Sequence, residues 1–84
     1  MRKKHRRTLE AVFETPSRGD IAWKDIEALL RALGAEISQG RGSRVRVALR
    51  GVRAVFHRPH SRKEVGKGMV KSVRRFLKEA GITP

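Results

Sequence analysis

The sequence predicts a small α+β domain built to meet a polyanion, and three observations carry that expectation. Apolar residues recur at helical spacing towards both ends of the chain. Between those stretches the pattern switches to alternation, running from Arg44 to His57. The formal net charge is +13 on 84 residues, far beyond what a small domain needs to stay in solution.

The elements follow in chain order. Residues 1–7 (Met1 to Arg7) form a basic tail, and His5 within it is assigned no chemistry. Leu9, Val12 and Phe13 at i, i+3 and i+4 predict a short amphipathic helix over 8–14, which the run Thr15 to Asp20 stops. A second helix is expected from Trp23 to Leu33, with Ile26, Leu29, Leu30 and Leu33 as its apolar stripe and Gly34 as its C-terminal cap. Residues 35–38 suit a short strand, closed by the turn Gln39-Gly40-Arg41-Gly42.

For the alternating stretch, Arg50-Gly51 is the expected two-residue hairpin turn. Val45 then faces Phe56, Val47 faces Ala54, and Leu49 faces Val52. A slip of one residue would destroy every one of those apolar pairs. The opposite face pairs Arg44 with His57, Arg46 with Val55 and Ala48 with Arg53, so it is cationic. A last helix from near Gly68 to Ala80 buries Met69, Val70, Val73, Phe76, Leu77 and Ala80 and is capped by Gly81. Its outer face is expected to hold Lys71, Arg74, Arg75 and Lys78. Helices on one side of such a sheet leave its other side open.

Composition narrows the function further. A chain of this size buries only about 60–65% of its unfolded surface, so an open active surface is expected and an enclosed cavity is not. Cysteine is absent, which removes a disulfide framework and a thiolate zinc site. There is no apolar run long enough for a membrane span or a signal peptide, and a cytoplasmic location is expected. Residues 1–37 hold eight of the 21 basic and six of the eight acidic side chains. Residues 38–84 therefore hold thirteen basic against two acidic, Glu64 and Glu79, and the polyanion should meet that half.

The order and spacing of several short motifs resemble the HicA toxins. Lys24-Asp25-Ile26-Glu27-Ala28-Leu29-Leu30, Leu33-Gly34 and Gly42-Ser43 match the front half. Val55-Phe56-His57-Arg58-Pro59-His60, Lys63 to Val70, and Phe76 to Ile82 match the back half, whose family ending reads K-E-x-x-K-G-T … I-L-K-x-A-G-L. The resemblance covers about residues 21–84 of a single domain, with 8–20 as a subfamily extension. It implies a double-stranded-RNA-binding-like α-β-β-β-α fold with a three-stranded antiparallel sheet. It further implies a toxin that cleaves mRNA without metal or cofactor and is silenced by a HicB-type antitoxin, here expected to be acidic. One position departs from the pattern: the family's catalytic histidine follows Gly-Ser, and this chain carries Arg44 there.

His57 is the candidate replacement. Metal-free RNA cleavage needs a base for the 2′-OH proton and an acid for the leaving oxygen, and imidazole, with an unperturbed pKa of about 6.5, can serve as either. The hairpin register sets His57 beside Arg44, which can steady a phosphate together with Arg46. A surface histidine at a strand end is the competing reading. His60, fixed by Pro59, is a phosphate contact, a second acid/base group or a loop residue. Gly40 to Ser43 is either a phosphate-cradling turn led by Arg41 or simply a tight turn. Arg58, Lys63, Lys67 and Lys71 complete the expected RNA contacts, the lysines leading into the last helix, whose N-terminus offers N–H groups to an anion. Trp23 and Phe13 are read as core residues, since aromatics at 5% do not support base-stacking platforms. The rival function is a non-catalytic nucleic-acid-binding module, or an antitoxin-binding domain that has lost cleavage.

Overall fold

The computed structural model describes residues 1–84. In chain order it contains α1 (Lys3–Val12), α2 (Trp23–Ala32), β1 (Glu36–Gln39), β2 (Arg44–Leu49), β3 (Val52–His57) and α3 (Gly66–Glu79). The sheet is antiparallel with order β1-β2-β3. This is the α+β architecture expected, with α1 added ahead of an α-β-β-β-α core.

The hairpin register is the expected one at every rung from Arg44↔His57 to Leu49↔Val52. Arg50 (φ 52°) and Gly51 (φ 81°) both take positive φ, the signature of a type I′ turn whose twist matches the strands it joins. The Arg50 guanidinium also donates to the Ala80 carbonyl at 3.3 Å. It thereby ties the turn to the end of α3, where a cation favours the helix dipole.

One face of the sheet meets the helices. Val45, Val47, Leu49 and Phe56 are buried there against Ile26, Leu29 and Leu30 of α2 and Val70, Val73, Phe76 and Leu77 of α3. Trp23 lies 6.4 Å from Phe56, and Phe56 meets Phe76 edge-to-face at 5.7 Å, so both Trp23 and Phe56 are core residues. Helices α2 and α3 end alike. Gly34 (φ 92°) and Gly81 (φ 77°) supply the left-handed residue, and the Ala35 and Ile82 N–H groups return to the carbonyls of Leu30 and Leu77. That is the Schellman arrangement, and a side chain at either glycine would strain it.

Three expectations need correction. Residues 3–7 are not a tail: they are the first half of α1, and His5 is half-buried in it. Lysine and arginine are good helix formers, so a helix nucleated where Leu9 and Val12 meet the core runs back through them. Helix α3 starts at Gly66, two residues before Gly68. Finally, Arg74 does not lie free on the outer face of α3. It donates to the carbonyls of Val12 (2.9 Å) and Glu14 (3.2 Å) and to Ser17 Oγ (2.7 Å). The Val12 carbonyl is an unpaired C-terminal group of α1, which Arg74 both satisfies and neutralises, while Glu14 and Ser17 tie it to the loop that follows.

Candidate nucleic-acid interface

The side of the sheet away from the helices is open. Alternation puts three rows there: Glu36, Ala48 and Arg53; Ser38, Arg46 and Val55; then Gly40, Arg44 and His57. The first two rows line a shallow concavity of about 530 Å³. Arg44, Arg46, Arg53 and His57 are exposed and take part in none of the four ion pairs of the chain. Val55 is 53% exposed between them, an apolar residue in a cationic field.

Arg44 and His57 face each other directly. On the next rung the Arg58 N–H donates to the Ser43 carbonyl at 2.9 Å. Ladder alternation then makes Arg44–His57 a non-hydrogen-bonded pair, the closer kind, with Cα atoms about 4.5 Å apart. On the other side the Gly40 N–H donates to the Arg44 carbonyl at 2.8 Å. A Cβ at Gly40 would come within 3.0 Å of the Arg44 Cβ, so glycine there leaves the arginine room to stand upright. Neither His57 nor Arg44 makes a side-chain hydrogen bond, which leaves both free for a ligand.

The other expected contacts are spread around this face. Arg41 is exposed in the β1–β2 turn. Arg58 donates to Gln39 Oε1 at 2.8 Å, bracing the ends of β1 and β3. His60 and Lys63 are exposed in the loop before α3, and the Lys63 carbonyl accepts from the Trp23 N–H at 2.9 Å. Lys67 and Lys71 are exposed on α3, in the helical layer and not on the open face. The N-terminus of α3 is also less open than expected. The Val65 N–H is taken by the Ile21 carbonyl at 3.0 Å, and a Cβ at Gly19 would lie 3.1 Å from the Lys67 nitrogen. Arg53 belongs with the site, and the period-2 pattern that places Arg46 also places Arg53.

In the loop after α1, by contrast, charges are matched locally. Arg18 holds Asp20 through Nε–Oδ1 (2.8 Å) and Nη2–Oδ2 (3.1 Å) and reaches Glu14 at 2.9 Å. Its guanidinium keeps the Asp20 carboxyl below the usual carboxylate range. No three His, Asp or Glu side chains gather as a metal-binding group.

The family model for the HicA toxin of bacterial toxin–antitoxin systems matches residues 23–82, from the start of α2 to the residue after Gly81. The chain belongs to the HicA toxin family. It is therefore the toxin component of such a system, and an antitoxin is its partner. No curated protein and no solved structure matches it. The match begins at Trp23, so α1 and the loop after it stand outside the HicA core. No helix is long and apolar enough to cross a membrane.

Proposed function

We propose that this HicA chain is a metal-independent endoribonuclease that binds mRNA on the open sheet face and cleaves it by proton transfer at His57. The observation that supports this most is the direct pairing of His57 with Arg44 on an exposed, unpaired cationic surface. Histidine one strand over can do what the family's histidine at position 44 does, provided both point at one phosphate. His57 takes the 2′-OH proton as the 2′ oxygen bonds to phosphorus, and the P–O5′ bond breaks as an acid protonates the leaving oxygen. Arg44 and Arg46 stabilise the charge that gathers on the phosphorane oxygens. His60 is the candidate for the second proton or for a phosphate contact.

A HicB-type antitoxin, net acidic, silences the enzyme by covering the same face in the cytoplasm, with Val55 and Ala48 as apolar anchors among the arginines. RNA binding is charge-driven. With about four to six phosphates neutralised, log affinity falls with log salt at a slope of roughly −3 to −4.

Cleavage of RNA by purified protein, with chelator and no added metal, tests the reading. His57→Ala loses about 10²–10⁴ in rate, while circular dichroism and RNA affinity stay at parental values. His60→Ala is milder, and Arg44→His keeps or raises activity. A His57→Ala protein that cleaves as fast as the parent removes His57 as the base. Arg44 at the family's histidine position favours one competing reading, a binder that has lost cleavage; on that reading the parent binds RNA and leaves it intact.

A further inference from the structure

We propose that the outer face of α1 is a second docking surface for a nucleic-acid phosphate backbone, separate from the open sheet face. Arg2, Lys3, Arg6 and Arg7 are all exposed, and none makes an ion pair or a side-chain hydrogen bond. They repeat one helical turn apart as Arg2–Arg6 and Lys3–Arg7. Helix α1 packs on α2 and α3, so these cations lie on the helical side of the molecule. Arg44, Arg46 and His57 lie on the other side of the sheet.

The placement works against the stability of the helix that bears it. The first turn of α1 contains no acidic residue, and its N-cap is Arg2 with no side-chain cap. Cations at the positive end of a helix dipole are unfavourable, and like charges four residues apart repel. None of these four closes an ion pair within the chain. A local rule broken without internal return marks a surface kept for something outside the chain. A phosphate backbone reverses the balance by bringing negative charge to the end of α1 that lacks it.

The chemistry of the face selects the occupant. It offers guanidinium and ammonium groups without aromatic rings or Asn and Gln amides, which suits phosphate contact and not base reading. A protein partner would want an apolar centre to bury, and the only exposed large apolar side chain near this face is Met1. The sheet face, with Val55 and Ala48 among its arginines, has such a centre. An antitoxin seated on the sheet therefore leaves α1 free, and the silenced toxin stays tethered to RNA. That RNA is the ligand rests on the function proposed above; the second surface does not.

Full-length protein titrated with a fluorescent, non-cleavable 2′-O-methyl RNA strand over a salt series tests this. Replacing Arg2, Lys3, Arg6 and Arg7 together by Gln flattens the log affinity–log salt slope by roughly 1.5–2, two to three phosphates at about 0.7 each. The charge-conserving triple change Arg2→Lys, Arg6→Lys and Arg7→Lys keeps the parental slope, and circular dichroism shows the helices intact in both. Arg44→Gln/Arg46→Gln protein retains salt-sensitive binding through α1. An unchanged slope in the Gln variant overturns the proposal, as does complete loss of binding in the Arg44→Gln/Arg46→Gln protein. If the Arg44→Gln/Arg46→Gln protein binds as the parent does while the Gln variant of α1 is weakened, the α1 surface stands and the sheet-face reading fails.

Discussion

The β2–β3 hairpin and α1 carry charge of the same sign at opposite structural cost. On the hairpin, every second residue points away from the core, so Arg44, Arg46 and Arg53 occupy positions that must be solvated anyway. Their partners across the strands are His57, Val55 and Ala48, and no two arginines are directly opposed. On α1 the cations crowd the end of the helix whose dipole repels them. The helix forms because Leu9, Ala11 and Val12 are buried and because Arg74 holds the Val12 carbonyl at its C-terminal end. Tertiary packing at one end of α1 thus sustains charge that local preferences oppose at the other.

The contrast can be broken first at neighbouring residues of β3. Phe56, buried between Trp23 and Phe76, should cost about 3–5 kcal/mol when changed to Ala. His57→Ala, one residue on and facing solvent, should stay within about 0.5 kcal/mol of the parent. Urea melts of the two variants check the pair; equal losses would mean that the two faces of the hairpin are not independent.

Arg74→Ala removes donors to Val12, Glu14 and Ser17 and should cost about 1.5–3 kcal/mol. The damage should be local. Amide hydrogen exchange should quicken through α1 and the loop to Ser17 while β2 and β3 keep their protection. Uniform acceleration across the chain would show that α1 and the sheet unfold as one unit.

Smaller still, Lys3→Glu places an acid in the first turn of α1 and should stabilise that helix by about 0.3–1 kcal/mol while weakening RNA binding. Slower exchange in α1 together with weaker binding is the expected pair of results, and a variant that binds RNA as the parent does contradicts it. Acid has a directional effect in the adjoining loop. The Asp20 carboxyl is held below its ordinary range by Arg18, so the stability it lends is present above the unfolded-state value and is lost as pH falls through the folded one. Arg18→Gln should remove that part of the acid sensitivity, followed by the thermal midpoint between neutral and acid pH.

Much of the candidate site was legible before any coordinates. Period 2 from Arg44 to His57, broken by one two-residue turn, is enough to place Arg44 beside His57 and to send Arg46 and Arg53 to the same side. The glycine caps at Gly34 and Gly81 were legible for the same reason, since only a left-handed residue closes a helix in that way. Such features depend on residues near each other in sequence, or on a register that a short turn transmits.

What sequence alone determined, then, is the element order, the hairpin and its two faces, and the excess of positive charge. The rest depended on contacts between residues far apart in the chain. Arg74 has the spacing of a solvated helix residue, and only the arrival of α1 sixty residues away turns it inward. Residues 3–7 read as a tail because no apolar period runs through them; they are helical because Leu9 and Val12 dock on α2 and α3. Lys67 and Lys71 share the sign of Arg44 and Arg46 but lie in the helical layer, and Gly19 lies over the start of α3. Local periodicity settles which way a side chain leaves its own element. Which elements come together, and so which charges share a surface, is settled by the packing of apolar faces that sequence spacing does not relate.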